Sequence, residues 1–325
     1  REAIEEAGLG DEILFFSRSA FHCSPRYSTA FWTGDHLTSW RKEDGIKSVV
    51  VGLLSSGFCG MSLNHADIGG YTSTHVLPVA VPGITFTRSQ ELLMRWTELS
   101  AFTALFRTHE GIVPERNHQV TDHPDTLEHF ARFARIYGVL ADYRKRLCRD
   151  ATMRGLPLVR HPWLHYPNDL VARRLELQFL FGEDFMVAPI LDPGLDEGSI
   201  YLPAGKWVHL WSGQEVVLET GRWCRCSAPI GYPPVFYIAS SAAGEDIREK
   251  LVASADLRRA WTTVACRIVE DEVGDKAGDR TPRTPGKIGA RGSRFLCCSR
   301  RRYHQVHVQP KEEDACNRLG AAELV

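Results

Sequence analysis

Short apolar runs alternate with segments of helical length between residues 11 and 110. This alternation constrains the fold more than any other feature of the chain, because it is typical of βα units with parallel strands joined by helices. The sequence therefore predicts an α/β fold, with a parallel sheet or barrel over residues 1–152. The predicted strands are EILFFS (12–17, expected to be buried), YSTAFW (27–32), FCGMSL (58–63) and TALF (103–106).

Three helices are predicted between and after these strands. DGIKSVVVGLLSSG (44–57) has helical length and ends at a glycine. RSQELLMRWTELSAF (88–102) has one apolar face, and Thr87 with Gln90 predicts a capping box at its start. DTLEHFARFARIYGVLADYRKRL (125–147) is predicted to be one long amphipathic helix.

The pattern changes after residue 152. Short β-type runs separated by Pro and Gly predict an antiparallel β-sandwich domain over residues 153–241. From residue 242 to 325 neither periodicity is sustained, and Gly, Pro and both charges mix, which predicts an irregular, largely disordered tail. Its basic cluster SRRRYHQVH (299–307) is more typical of a solvated tail than of a nucleic-acid contact.

Composition excludes several classes of protein. The formal net charge of −1, from 39 basic and 40 acidic residues, gives no overall attraction to nucleic acid, and no apolar run is long enough to span a membrane. The nine cysteines are odd in number and form no CxxC pair, which favours reduced thiols and a cytoplasmic location over disulfides or zinc. The first residues resemble the middle of a helix rather than a signal peptide, so we expect a fragment of a longer chain.

An acidic and aromatic cluster follows the second predicted strand. FWTGDHLTSW (31–40) places Asp35 beside Trp32 and near Trp40. Indole rings offer an apolar surface to a sugar ring, and apolar rings beside a carboxyl favour its protonated form. The stretch predicts either a sugar site in which Asp35 donates a proton, or a loop in which Asp35 caps a helix.

Polar residues near the ends of the other predicted strands extend this candidate site. Arg18 follows the first strand, and Asp67 and Tyr71 follow the third. His109 follows the fourth, and active sites of barrels lie at the carboxyl ends of their strands. Each residue also has a structural alternative: a surface ion pair for Arg18, a brace for the Gly69–Gly70 turn for Asp67, and a core position for His109.

Other chemistries lack their signatures. The sequence contains no phosphate-binding glycine loop, no HExxH pair and no GxSxG elbow. The two histidines of HPWLH (161–165) are four apart, but Pro162 disfavours the helix that would align them on a metal. We therefore expect neither a metal nor a cofactor.

Four separated blocks occur in an order that resembles glycoside hydrolase family 31, and most closely its sulfoquinovosidase branch of retaining α-glycosidases. The resemblance covers residues 5 to about 240. Ordinary α-glucosidases of that family carry GxDIxGF where this chain has HADIGGY. The blocks are RSAFHCSPRYSTAFWTGDHLTSW (18–40), LNHADIGGYTS (63–73), RTHEG (107–111) and APIGYPPVFY (228–237).

The resemblance implies a partial (β/α)8 TIM barrel, namely its C-terminal half, followed by a proximal β-domain. It implies that Asp35 is the general acid/base and that Tyr71 helps to position a sulfonate. Arg107 is implied to support the site rather than to touch sugar. The residues implied to hold and shape the glycone are Arg18, Trp32, Asp67 and His109.

The resemblance leaves three functions open. The first is hydrolysis of α-sulfoquinovosides, and the second is plain α-glucosidase activity. The third is an inactive carbohydrate-binding pseudoenzyme, because the aspartate nucleophile of the family lies on an earlier strand that this chain lacks. The expected partner is a carbohydrate, with no nucleic acid and no membrane, and the sequence predicts no oligomeric state.

Overall fold

The N-terminal part of the computed structural model contains a small parallel sheet with helices beside it. The structure describes residues 2–10, 12–73, 86–254 and 266–268, the last of these as backbone only. The elements up to residue 154 are α1 (Glu2–Glu6), β1 (Phe16–Ser17), β2 (Ala30–Trp32), α2 (Ile46–Phe58), β3 (Asn64–His65), α3 (Gln90–Ser100), α4 (Pro124–Val139) and α5 (Ala141–Arg154).

The parallel sheet has the strand order β1-β2-β3. Trp32 at the end of β2 is the register partner of His65 at the end of β3. An isolated parallel bridge joins Ile68 to Thr108, so a fourth segment continues the sheet. Because parallel strands end at one edge, the loops that follow them lie side by side, as the sequence predicts.

The two faces of this sheet have different neighbours. Asn64 donates from Nδ2 to the Leu53 carbonyl and to the Ser56 hydroxyl of α2, at 2.9 and 2.6 Å, so helix covers that face. Successive strand residues point to opposite faces. His65 therefore lies on the other face, together with its register partner Trp32.

The first predicted strand differs from expectation. Only Phe16 and Ser17 of residues 12–17 form a strand, and the segment is not buried: Ile13 is 44% exposed and Leu14 is 50% exposed. The reason is its place in the sheet. β1 is an edge strand, and within the described residues it pairs with β2 alone.

The third and fourth predicted strands are also displaced. α2 continues to Phe58, the chain turns at Gly60 with φ 84°, and the strand is Asn64–His65 rather than 58–63. The predicted end of this helix, Gly57, lies inside α2, and the turn comes at Gly60, whose positive φ suits a glycine. The segment 103–106 is not a strand, and the fourth segment contacts the sheet only through the Thr108 bridge.

The long helix predicted over residues 125–147 is two helices that meet at Leu140. The Arg144 guanidinium donates to the Tyr137 carbonyl at 3.1 Å and stacks on the Tyr137 ring at 3.6 Å. This side chain donates to a carbonyl of the last turn of α4, close to Gly138, a weak helix former.

The start of α3 differs from the predicted capping box of Thr87 and Gln90. Its cap is Ser89, whose hydroxyl accepts from the Leu92 amide.

The second part of the chain is antiparallel. Its elements are β4 (Val159–Arg160), β5 (Phe179–Phe181), β6 (Phe185–Val187), β7 (Glu197–Leu202), β8 (Gly205–His209), β9 (Glu215–Leu218), β10 (Arg222–Ser227), β11 (Val235–Ile238), α6 (Ala242–Ala253) and β12 (Cys266–Ile268). One sheet has the order β4-β5-β6-β11-β8-β9, and the other has the order β12-β10-β7.

The two antiparallel sheets share one core. Leu180, Met186 and Phe236 of the six-stranded sheet are fully buried with Ile200 and Cys224 of the three-stranded sheet. Side chains from two sheets that meet in one apolar layer define a β-sandwich. The predicted antiparallel β-domain is therefore present.

The predicted irregular tail begins with a helix instead. α6 spans Ala242–Ala253, and Ser241 caps it by accepting from the Gly244 amide at 2.9 Å. Ile247 and Leu251, four residues apart, are buried against the hydrophobic core. The prediction that an irregular segment starts at residue 242 is therefore wrong for the residues of α6. A buried i, i+4 apolar pair and a serine cap stabilise a helix there.

The rest of the predicted tail, with the basic cluster at 299–307, lies outside the described residues, apart from β12. In the described part of the chain, no helix has the length and apolarity to cross a membrane.

A buried ionic network joins the two parts of the chain. Arg95 donates to the Ala228 carbonyl at 2.9 Å and pairs with Glu98 at 3.1 Å. The other Glu98 oxygen accepts from the Gly231 amide and lies 3.2 Å from His129 Nε2. Residues of α3 and α4 therefore hold the segment between β10 and β11 through groups that solvent does not reach.

Candidate active site

Asp35 lies in the loop that follows β2, and this loop is tied to the loop that follows β3. The Asp35 carbonyl accepts from the Thr72 hydroxyl at 3.1 Å. The His36 carbonyl accepts from the amides of Tyr71 and Thr72 at 2.8 and 3.0 Å. Asp35 does not cap a helix, because α2 begins only after Gly45.

Arg18 reaches the Asp35 carboxylate from the loop after β1. The Nη1 atom of Arg18 is 3.1 Å from Oδ2 of Asp35, and its Cζ atom is 5.4 Å from the Trp32 ring centroid. Gly34 has φ 98°, and a Cβ atom built on it would lie 3.5 Å from Arg18 Nε. The loop thus lets a guanidinium approach both the carboxylate and the indole.

Asp67 and Arg107 form an ion pair beside this group. Asp67 is 1% exposed; burial raises its pKa, and the nearby Arg107 and His109 offset part of that rise. The Trp32 indole also lowers the Asp67 pKa, but its N–H reaches hydrogen-bonding geometry with no described residue. Arg107 Cζ lies 5.6 Å from the Trp32 ring centroid and 5.2 Å from that of Phe16.

Tyr71, in the loop after β3, and His109, next to the Thr108 bridge, contact each other. Their ring centroids are 4.7 Å apart at 83°. His109 Nδ1 accepts from the Gly111 amide at 3.1 Å, so the proton of the neutral ring sits on Nε2 and is available for donation. The backbone at His109 is held by the buried Arg88, which donates to the His109 carbonyl at 2.6 Å.

The structure brings the predicted site residues into one cluster. Arg18 contacts Asp35 and Trp32, and Tyr71 contacts His109. Asp67 joins the two groups, because the charges of Asp35 and His109 both act on its carboxyl. Trp40 packs against the hydrophobic core instead. Asp67 does not serve mainly as a turn brace, since its side chain pairs with Arg107. His109 is half-buried rather than a core residue.

Two members of the cluster were not predicted from the sequence. Phe16 and His65 meet edge to face, with ring centroids 5.0 Å apart at 87°. Residues 65 and 67 alternate with Asn64 and Ala66, and this period of two would have placed His65 on the face of Asp67. Because the strand was predicted at 58–63 and not at Asn64–His65, this alternation was not recognised. In the described part of the chain, no three His, Cys, Asp or Glu side chains are grouped to hold a metal ion.

Comparison with known families assigns both parts of the chain. Residues 1–143 match the sequence model of the Glycosyl hydrolases family 31 TIM-barrel domain. Residues 155–241 match the Glycosyl hydrolase family 31 C-terminal domain.

Individual relatives point the same way. The chain is 41% identical over 240 residues to the sulfoquinovosidase of Escherichia coli K12, covering 74% of this chain and 34% of that protein. It is 40% identical over 242 residues to the sulfoquinovosidase of Agrobacterium fabrum, covering 74% and 35%. An alpha-glucosidase of Hordeum vulgare is 31% identical over 230 residues, covering 70% and 24%. The chain thus spans about a third of the length of the two sulfoquinovosidases and about a quarter of the barley enzyme.

A solved structure is similar in fold. A family 31 sulfoquinovosidase from E. rectale, in complex with the aza-sugar inhibitor IFGSQ, superposes with a TM-score of 0.69 at 39% identity, covering 77% of this chain and 36% of that one. An alpha-xylosidase of the same family from a soil metagenome gives a TM-score of 0.64 at 25% identity, covering 76% and 37%. With matched domains over most of its length and these relatives, the chain belongs to glycosyl hydrolase family 31.

Proposed function

We propose that the protein containing this chain is a retaining α-glycosidase that hydrolyses α-sulfoquinovosides, with Asp35 as its general acid/base. The observation that carries the proposal is the placement of Asp35, 3.1 Å from Arg18 in a loop held against the Tyr71 loop. The substrate class is supported by the relatives, since identity is 41% and 40% to sulfoquinovosidases and 31% to the barley alpha-glucosidase.

Asp35 has two tasks in this mechanism. In the first step its carboxyl donates a proton to the departing glycosidic oxygen, and in the second its carboxylate takes a proton from the attacking water. The side chain is 26% exposed, so it is open to a substrate and to water, while the Arg18 guanidinium holds its position.

The remaining residues form the glycone subsite. Trp32 presents an indole surface and an N–H donor, and Asp67 presents an acceptor oxygen with no hydrogen-bond partner among the described residues. Donors come from Arg18 and from His109 Nε2. Tyr71 stands against His109 and is the residue we assign to a sulfonate.

The first step also needs a carboxylate nucleophile about 5–5.5 Å from the acid. Asp67 does not fit that role, because its carboxylate is buried and paired with Arg107. We therefore place the nucleophile outside the described residues, which fits a chain that spans about a third of its sulfoquinovosidase relatives.

Two other functions remain as outcomes of a test. An α-glucosidase is favoured by the barley relative. A carbohydrate-binding protein without turnover is favoured by the absence of an assignable nucleophile in the described part of the chain. Rates on glucoside and sulfoquinovoside separate the first, and binding without hydrolysis identifies the second.

The test is Asp35→Asn in the full-length natural protein that carries these residues, assayed with an aryl α-sulfoquinovoside. We expect turnover to fall by about 10²–10⁴-fold, the usual contribution of a general acid or base. Asp142→Asn is the matched control, because that side chain is 85% exposed on α5. Near-normal turnover by Asp35→Asn would sink the assignment.

A further inference from the structure

His65 lies inside the sheet, directly beside the candidate active site. It is 0% exposed and is the register partner of Trp32. Its chain neighbour Asn64 points to helix α2, so the imidazole points to the opposite face, which Asp67 shares two residues later. The Phe16 ring packs edge to face with the His65 ring, with their centroids 5.0 Å apart.

Unpartnered polar atoms converge on this face. Both ring nitrogens of His65 lack a hydrogen bond of normal geometry to any described residue. The same holds for Asp67 Oδ2, Trp32 Nε1 and Arg107 Nε. Buried polar groups without partners are rare in folded proteins and each calls for an explanation. Four such side chains near one another form a polar cluster that is atypical of an apolar core.

The charges around His65 determine which form of the ring fits. Burial and then the Arg107 cation lower the His65 pKa to about 4, while the Phe31 carbonyl, outside hydrogen-bonding geometry, offsets a little of that fall. Asp67 is the anion on the same face, and it already pairs with Arg107. The other close neighbours, Phe16 and Trp32, carry no charge.

We propose that His65 is a positioning residue of the proposed site, whose uncharged imidazole keeps Arg107 paired with Asp67 beneath the Trp32 platform. A proton on His65 would add a second buried cation near Arg107, and their repulsion would displace Arg107 from Asp67. The inference rests on the proposed function insofar as Asp67 and Trp32 bind the glycone. It predicts that charge on residue 65 weakens substrate binding more than it slows chemistry.

The kinetic test compares a neutral with a cationic side chain in the full-length protein at pH 7. His65→Asn keeps one donor and one acceptor without charge, and we expect its KM to stay within about threefold of wild type. His65→Arg carries a fixed charge, and we expect its KM to rise at least about tenfold with kcat within about threefold. Equal KM values for the two variants overturn the proposal.

A control separates this effect from simple loss of a buried histidine. His209 of β8 is also 0% exposed, and burial lowers its pKa to about 4, but it belongs to the β-domain. His209→Asn should leave KM unchanged. If His65→Arg fails to fold, the pH dependence of KM provides the test. Between pH 6 and pH 4 the KM of the wild type should rise at least about twofold more than that of His65→Asn. Parallel plots of KM against pH for the two proteins would refute the role of His65.

A measurement without turnover distinguishes this inference from the proposed function. In an NMR titration of the ring, His65 should change protonation near pH 4, and Arg107→Gln should raise that midpoint. A midpoint near 6.5, or one that ignores Arg107→Gln, overturns the role of His65 even if Asp35→Asn abolishes activity. The expected titration with an active Asp35→Asn variant would instead remove only the proposed function.

Discussion

The Nη1 atom of Arg18 lies 3.1 Å from the Asp35 carboxylate, while the same guanidinium sits 5.4 Å from the centre of the Trp32 ring. One side chain therefore links the candidate proton donor to the candidate sugar platform. Arg18 is 57% exposed, so this link has little to do with folding. Its consequence is confined to the site.

We expect Arg18→Gln to lower kcat/KM by at least about tenfold and to change the free energy of unfolding by less than about 0.5 kcal/mol, as for other exposed pairs. Steady-state kinetics and urea denaturation of the full-length protein provide both numbers. Arg149→Gln, an exposed position on α5, is the control for loss of a surface charge. Unchanged kinetics with Arg18→Gln would contradict the role of the link.

The Asp67–Arg107 pair should behave differently, because the carboxylate is buried. Arg107→Met leaves that charge without its partner and should destabilise the fold by about 2–3 kcal/mol, below the cost for a fully buried pair because Arg107 is a third exposed. The loss should shrink as the pH falls, since burial raises the Asp67 pKa and protonation removes the unpaired charge. Denaturation at pH 7 and pH 5 tests this, and Arg107→Met combined with Asp67→Asn should recover most of the loss.

Much of this site follows from local sequence patterns. The strand that ends at Trp32 and the polar loop with Asp35 are both predicted, because apolar runs and the residues after them depend on neighbours in the chain. The ion pair of Asp67 with Arg107 spans forty residues. No local pattern specifies such a partner, and the resemblance, which implied that Arg107 supports the site, did not name one.

The elements that differ from the predicted ones, β3 and the break between α4 and α5, also have local causes. These causes override the hydrophobic periodicity on which the predictions depend. β3 begins at Asn64, six residues after the predicted start at Phe58, because α2 continues through Gly57 and the chain turns only at Gly60. The break at Leu140 depends on Arg144, whose side chain donates to a carbonyl of the preceding helix. Hydrophobic periodicity carries no information on such a contact.

Glu98 should be the most sensitive polar residue away from the site. It accepts from Arg95 and the Gly231 amide at 1% exposure. Glu98→Ala leaves the Arg95 cation buried and unpaired with a carboxylate, and we expect a loss of about 3–5 kcal/mol in the free energy of unfolding. Glu128→Ala, exposed on α4, is the control. A change below about 1 kcal/mol in Glu98→Ala would show that the network contributes little to the stability of the fold.

Acid should destabilise the protein through its buried histidines. The pKa of His209 is lowered by burial to about 4, from 6.5 in an exposed ring. Between pH 6.5 and pH 4 the unfolded chain therefore binds a proton that the folded chain does not, so stability is complete above pH 6.5 and is lost as the pH falls through this window.

The His209 contribution is about 3 kcal/mol at pH 4, at roughly 1.4 kcal/mol per pH unit. His65 adds a contribution of the same sign. His209→Asn, which cannot titrate, should therefore lose less stability than wild type over this window, even if it is less stable at pH 7 because its ring packs on Phe236 and bonds Ser212. His22→Asn at an exposed position should follow wild type. Parallel stability curves for His209→Asn and wild type would mean that the ring is already protonated in the fold, and that burial at this position does not exclude the charge.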